Sequence, residues 1–120
     1  MAGQLTIDTL KASSGVLATQ NGMTGIAKAW VSYNGTAGTI RASFNVGSVT
    51  KNGTGNYTIN FTTAMPSSEY SSVAACGETS ATTGYSARSI IFGAQTTTTL
   101  VMFCLSPVTD FDKFGVAVFA

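Results

Sequence analysis

From Ala27 to Phe61, apolar and polar residues alternate in three runs separated by clusters of Asn and Gly. A repeat of two is the signature of an extended strand with one face buried, whereas a helix would scatter the same residues around its circumference. Ala27, Ala29, Val31 and Tyr33 alternate with Lys28, Trp30 and Ser32; Ile40, Ala42, Phe44 and Val46 alternate with Arg41, Ser43 and Asn45. Tyr57, Ile59 and Phe61 repeat the pattern against Thr58 and Asn60. The spacing predicts three strands, 27 to 33, 39 to 46 and 57 to 61, with Ile40, Phe44, Val46, Tyr57, Ile59 and Phe61 on one buried face. Asn34-Gly35-Thr36 and Lys51-Asn52-Gly53-Thr54-Gly55-Asn56 are turn chemistry, so the second and third runs read as a hairpin.

The remaining chain reads as further strands added to this meander. Tyr70 to Cys76, Ala87 to Phe92 and Thr98 to Leu105 are strand-like, bounded by Met65-Pro66-Ser67-Ser68, the polar segment Gly77 to Gly84, Gly93 and Pro107. Leu100 to Leu105 is apolar almost throughout, which places it centrally, covered on both faces by a core and by either a second sheet or a partner. Phe114, Val116 and Val118 share one face of a last strand. Seven or eight short strands with turns at this spacing predict a single antiparallel β-sandwich of jelly-roll or Ig-like type over 26–120. Residues 1–25 read equally as an extended N-terminal arm or as an edge strand. An arm needs a neighbour to bury Leu5, Ile7, Leu10 and Val16, which makes these four and Trp30 the candidate partner-binding residues. Trp30, on the face opposite Val31, is either a binding platform or, the favoured reading, a core or subunit-interface anchor.

Composition sharpens this picture in one respect. Apolar residues make up 44% of the 120, an ordinary share, but charged residues only 9%, against about 25% in typical domains. The outer strand faces are therefore covered by Ser, Thr, Asn and Gly, or by another copy of the protein. A net charge of +1 gives no field to attract nucleic acid or an anionic membrane. No apolar run reaches the ~20 residues that span a bilayer, and Met1-Ala2-Gly3-Gln4 opens no secretory signal. The expectation is a soluble product made in a cytosol. The Asn-x-Ser/Thr sequences beginning at Asn34, Asn52, Asn56 and Asn60 accordingly read as turn and strand chemistry, not as glycosylation sites.

Enzymatic readings fare badly. The chain has no His, hence no imidazole base, no Ser-His or Cys-His pairing and no zinc site of the usual kind. Of the acidic residues only Asp110 and Asp112 are close enough to share a site; they form either a calcium or glycosidase half-site or, as favoured here, a solvated turn. Cys76 and Cys104 read as a disulfide or, preferentially, as buried free thiols. No catalytic residue, cofactor or metal is expected.

The stretch Lys28-Ala29-Trp30-Val31, Asn34-Gly35-Thr36, Ile40-Arg41-Ala42-Ser43-Phe44-Asn45-Val46, Asn52-Gly53-Thr54-Gly55-Asn56-Tyr57-Thr58, Asn60-Phe61-Thr62 and Ala64-Met65-Pro66 resembles a domain of tailed-bacteriophage virion proteins, often labelled tail fibre. The resemblance is close over residues 27 to 66; from 67 to 120 only the strand pattern is similar. It implies a non-enzymatic virion protein, made in the host cytoplasm and assembled on the particle. Because the chain has room for one globular unit, the resemblance points first to a homotrimeric capsid decoration (cement) protein bound to the major capsid protein or other virion proteins. The alternative is a tail fibre or tail-tip subunit presenting loops such as Gly77 to Gly84 to a host surface receptor.

Overall fold

A computed structural model of the chain describes residues 3, 26–77, 89–105 and 110–120. Among them are eight strands and no helix: β1 (Ala27–Asn34), β2 (Thr39–Phe44), β3 (Val46–Gly53), β4 (Asn56–Phe61), β5 (Ser71–Gly77), β6 (Ser89–Gln95), β7 (Thr99–Leu105) and β8 (Lys113–Phe119). They form two antiparallel sheets of four, in the orders β2-β1-β8-β5 and β3-β4-β7-β6. One core lies between them. The first sheet contributes Ala29, Val31, Tyr33, Phe114, Val116 and Val118; the second contributes Val46, Tyr57, Ile59, Phe61, Leu100, Met102 and Cys104. Alternation puts each of these residues inward, and burying the larger ones stabilises the fold by about 1.5–3 kcal/mol apiece.

The run from Thr39 to Val46 departs from its predicted single strand. Across β1, Ser32 faces Ala42 but Tyr33 faces Ile40, so Arg41 is an extra residue, a bulge that reverses the alternation. Ile40 packs on the core while Phe44, opposite Trp30, lies on the outer face of the sheet. Asn45 then takes a positive φ of 55°, and Val46 begins β3 in the other sheet, where it pairs with Phe61. The expected single face holding Ile40, Phe44, Val46, Tyr57, Ile59 and Phe61 is thus corrected: Val46, Tyr57, Ile59 and Phe61 share a face, Ile40 supports it from the opposite sheet, and Phe44 does not face the core. The hairpin partner of β4 is β3, not the run from 39. Phe44→Ala should cost about 1 kcal/mol, the value of a half-buried aromatic, in a urea titration; a loss as large as that of a core aromatic would put Phe44 back inside.

Asn45 makes the crossing between the sheets. Its Nδ2 donates to the carbonyls of Lys28 and Thr63, both at 3.0 Å, its Oδ1 accepts the Thr63 N–H at 2.6 Å, and its backbone carbonyl accepts the Thr62 N–H at 3.1 Å. Short polar side chains are the ones that tolerate this left-handed backbone, and few others can also saturate it with hydrogen bonds.

β7 sits in the interior of its sheet, as expected, but its outer residues Val101, Phe103 and Leu105 are only half-buried. Gly93 lies within β6 and does not bound it; a Cβ there would approach Phe103 Cε2 to 2.9 Å, so the glycine makes room for that ring. Neither cysteine forms a disulfide; Cys104 is buried and Cys76 half-buried.

Candidate interaction faces

The two outer sheet surfaces differ in chemistry. On the second sheet, Ser48 and Thr50 of β3 stand opposite Asn60 and Thr58 of β4. Asn60 Nδ2 donates to Ser48 Oγ and Thr50 Oγ1, both at 3.1 Å, and Asn52 Nδ2 to Thr58 Oγ1 at 2.7 Å. These amides thus tie neighbouring strands together. Asn34 closes its turn in the same way, its Oδ1 accepting the N–H groups of Thr36 and Ala37.

The first sheet presents an apolar outer surface. Trp30 from β1, Gly115 and Ala117 from β8, and Val73 and Ala75 from β5 point outward, since Trp30 pairs with Ala117, and Ala117 and Gly115 pair with Val73 and Ala75. They line an open groove of about 460 Å³ whose floor is the small side of β8 and whose walls are Trp30 and Val73. No charged side chain lines it. Among the described residues the large exposed hydrophobics are Ile26, Trp30, Val73, Ile91 and Phe119; Trp30, Val73 and Phe119 belong to this sheet, and Ile26 immediately precedes it. Trp30 is thus where alternation places it, 39% exposed and outside the core. Leu5, Ile7, Leu10 and Val16 lie outside the described residues, as does the loop from 78 to 84.

A polar cluster gathers around the buried Tyr57. Tyr57, inward on β4, is 0% exposed, and its ring packs on Tyr33 and Phe114 with centroids 5.8 and 5.0 Å away. Its hydroxyl donates to Asp110 Oδ1. The Asp110 carboxylate also accepts the Gly55 N–H at 2.9 Å and the Lys51 ammonium at 2.5 Å. Burial and the adjacent carboxylate push the Tyr57 hydroxyl far above the usual phenol range. For Asp110, burial opposes ionisation, but the Gly55 N–H, Lys51 and the Tyr57 hydroxyl outweigh it and hold the carboxyl below its ordinary range. Asp110 is therefore a structural latch and not the solvated turn expected of it. No group of three or more metal-ligating side chains occurs among the described residues. Burial, with Cys76 and Asp110 adding to it, pushes the Cys104 thiol up to about 11, so it stays protonated and unreactive at neutral pH.

No family model, curated protein or solved structure matches the chain. On the surface, the second sheet carries interlocked amides and hydroxyls on β3 and β4 beside the apolar outer residues Ile91, Val101, Phe103 and Leu105 of β6 and β7, and the first sheet carries the apolar groove.

The latch gives a pH-dependent prediction. A carboxyl depressed in the folded state adds stability above its unfolded pKa of about 3.9, and that stability is lost as pH falls through the folded value. Asp110→Asn should cost about 1 kcal/mol at pH 7, modest because Lys51 is 42% exposed. The gap between variant and parent should then close on acidification. Thermal melts from neutral pH down to about pH 2 test this; a constant gap would assign the loss to something other than the carboxylate charge.

Proposed function

We propose that this chain is a non-enzymatic β-sandwich structural protein of a tailed-bacteriophage virion, acting as a trimeric capsid decoration protein on the particle surface. The observation that carries the assembly part of this reading is the apolar outer face of the β2-β1-β8-β5 sheet in a chain with 9% charged residues, while the three-fold state rests on the resemblance. Exposed apolar residues clustered around a groove, as Trp30 and Val73 are here, form the kind of surface through which proteins associate. The resemblance of residues 27 to 66 to tailed-bacteriophage virion domains supplies the setting. In that setting the protein works by mass action: each copy that binds the assembled shell and not its dissociated parts stabilises the shell. Its partners are copies of itself and the major capsid protein or other virion proteins.

The experiment adds the purified protein to capsids lacking it and images the particles. Saturable addition in three-fold clusters is the expected result. Attachment to host cells with no addition to capsids would replace this reading with that of a tail-tip receptor-binding subunit.

A further inference from the structure

Gly115 occupies the centre of the apolar groove without an internal reason to be glycine. Its φ is not in the left-handed region, and a Cβ built on it would find its nearest neighbour, the Val31 carbonyl, at 3.8 Å, an ordinary contact. Gly35 and Gly93 are different, since at those two positions a Cβ would meet atoms at 2.6 and 2.9 Å. A glycine inside a strand weakens the strand, and where the fold does not need it, it marks close approach by something outside.

The relief around Gly115 says what that is. Across the sheet run a ridge at Trp30, a valley at Gly115 and Ala117, and a second ridge at Val73. A surface whose ridge and valley lie on adjacent strands is complementary to itself. A two-fold axis running along the strands between β1 and β8 lays Trp30 of each copy in the valley of the other. The groove lining carries no charge, and the exposed Arg41 and Lys113 of the same sheet stand outside it, so the two grooves meet without burying an ion. We propose that the outer face of the β2-β1-β8-β5 sheet is an isologous contact with a second copy of this chain, Trp30 of each seated on Gly115 and Ala117 of its partner. This rests on the assembly reading above and adds the partner and the residues. Such a contact pairs two subunits, so in a decorated shell it joins three-fold groups to one another and does not build one.

The size of the face sets the strength. Four strands ~4.8 Å apart and seven residues long at ~3.3 Å each span about 19 by 23 Å, or roughly 450 Å² a side, well short of the ~800 Å² per partner of a standard stable interface. The pairing is therefore weak, micromolar or weaker, and is read best against concentration.

Sedimentation equilibrium of the full chain from about 1 µM to about 1 mM, together with emission from its single Trp, tests the proposal. Self-association that doubles the species present, with a blue shift of Trp30 emission, is expected; association in threes alone overturns the proposal. Gly115→Val should melt no lower than the parent yet weaken association at least tenfold. Val73→Asp, a change at a 55% exposed position, provides a second variant should the first fold poorly. It should weaken association likewise, because the same axis lays β5 over β2 of the other copy and a carboxylate at 73 would be buried against Phe44. A chain that stays monomeric throughout overturns the proposal. Association that survives both variants also overturns it, while leaving the assembly reading to the particle-binding measurement.

Discussion

Asn45→Ala should destabilise the protein by about 2–4 kcal/mol, the largest loss expected from any single polar substitution among the described residues. Alanine at φ 55° pays a left-handed backbone cost of about 1 kcal/mol or more. It also removes the amide's hydrogen bonds to the part-buried Lys28 carbonyl, worth about 1 kcal/mol, and to the exposed Thr63 carbonyl and N–H, worth about 0.5 kcal/mol each because water can replace them. Two companion variants divide these costs. Asn45→Gly removes the backbone penalty and keeps only the hydrogen-bond loss, so it should fall between alanine and the parent. Asn45→Asp retains an acceptor for Thr63 N–H but aims a carboxylate oxygen at two carbonyls. Its folded pKa is then raised, so its deficit, full at neutral pH, should shrink as pH falls through that raised value and level off below the unfolded pKa of about 3.9. Urea denaturation of the three variants checks the order; equal stability for alanine and parent would remove Asn45 as the joint between the sheets.

Gly35→Ala carries the second large expectation, a loss of about 3 kcal/mol. Gly35 is buried where the β1–β2 turn meets the segment before β8, and its N–H donates to the Phe111 carbonyl at 2.8 Å. A Cβ would stand 2.6 Å from Tyr57 Oη and 2.7 Å from the Phe111 oxygen. Neither can retreat cheaply: the Tyr57 ring is held by Tyr33 and Phe114, and the other atom is backbone. Overpacking of this kind costs about 1–3 kcal/mol and sometimes more. Tyr57→Phe deletes one of the two clashing atoms, so the double variant should lose at least about 1 kcal/mol less than the sum of the singles. Strict additivity in that cycle would show that the hydroxyl does not crowd position 35.

Most strands were legible because their outward and inward residues differ in kind. β4, β7 and β8 each bury alternate residues, as their sequences imply, and β1 does so from Ala29 onward; Lys28 before it, expected on the polar face, is buried as well. The run 39–46 misled because it contains two slips of phase that cancel: the bulge at Arg41 reverses the alternation and the turn at Asn45 restores it. Ile40 and Val46 both face the core, as an unbroken strand would have them, while Ala42 and Phe44 between them face out. β3 was missed as a strand, its Val46 read as the end of the run from 39 and its Lys51 to Gly53 as turn, because an edge strand made of Gly47, Ser48, Thr50, Lys51, Asn52 and Gly53 has little to bury; Val49 is its main contribution to the core beyond Val46. The Asp110 latch was hidden for another reason. It joins residues 53 to 59 positions apart, and nothing in local composition reports so distant a pairing. Trp30 was legible as an outward residue, but the groove beside it was not, because it depends on β8 lying between β1 and β5.

That same strand order has a consequence for the order of synthesis. β8 pairs on one side with β1 and on the other with β5, both of which leave the ribosome well before it does. Until residues 113–119 emerge, β5 has no hydrogen-bonded neighbour in its sheet, and β1 is paired only with β2. A nascent chain at that stage holds the β3–β4 and β6–β7 hairpins ready, while Val31, Tyr33 and Ala74 wait for the strand that fills the gap between them. Translation arrested before residue 113 should accordingly yield a half-built molecule with open strand edges, prone to pairing with its neighbours on the same messenger.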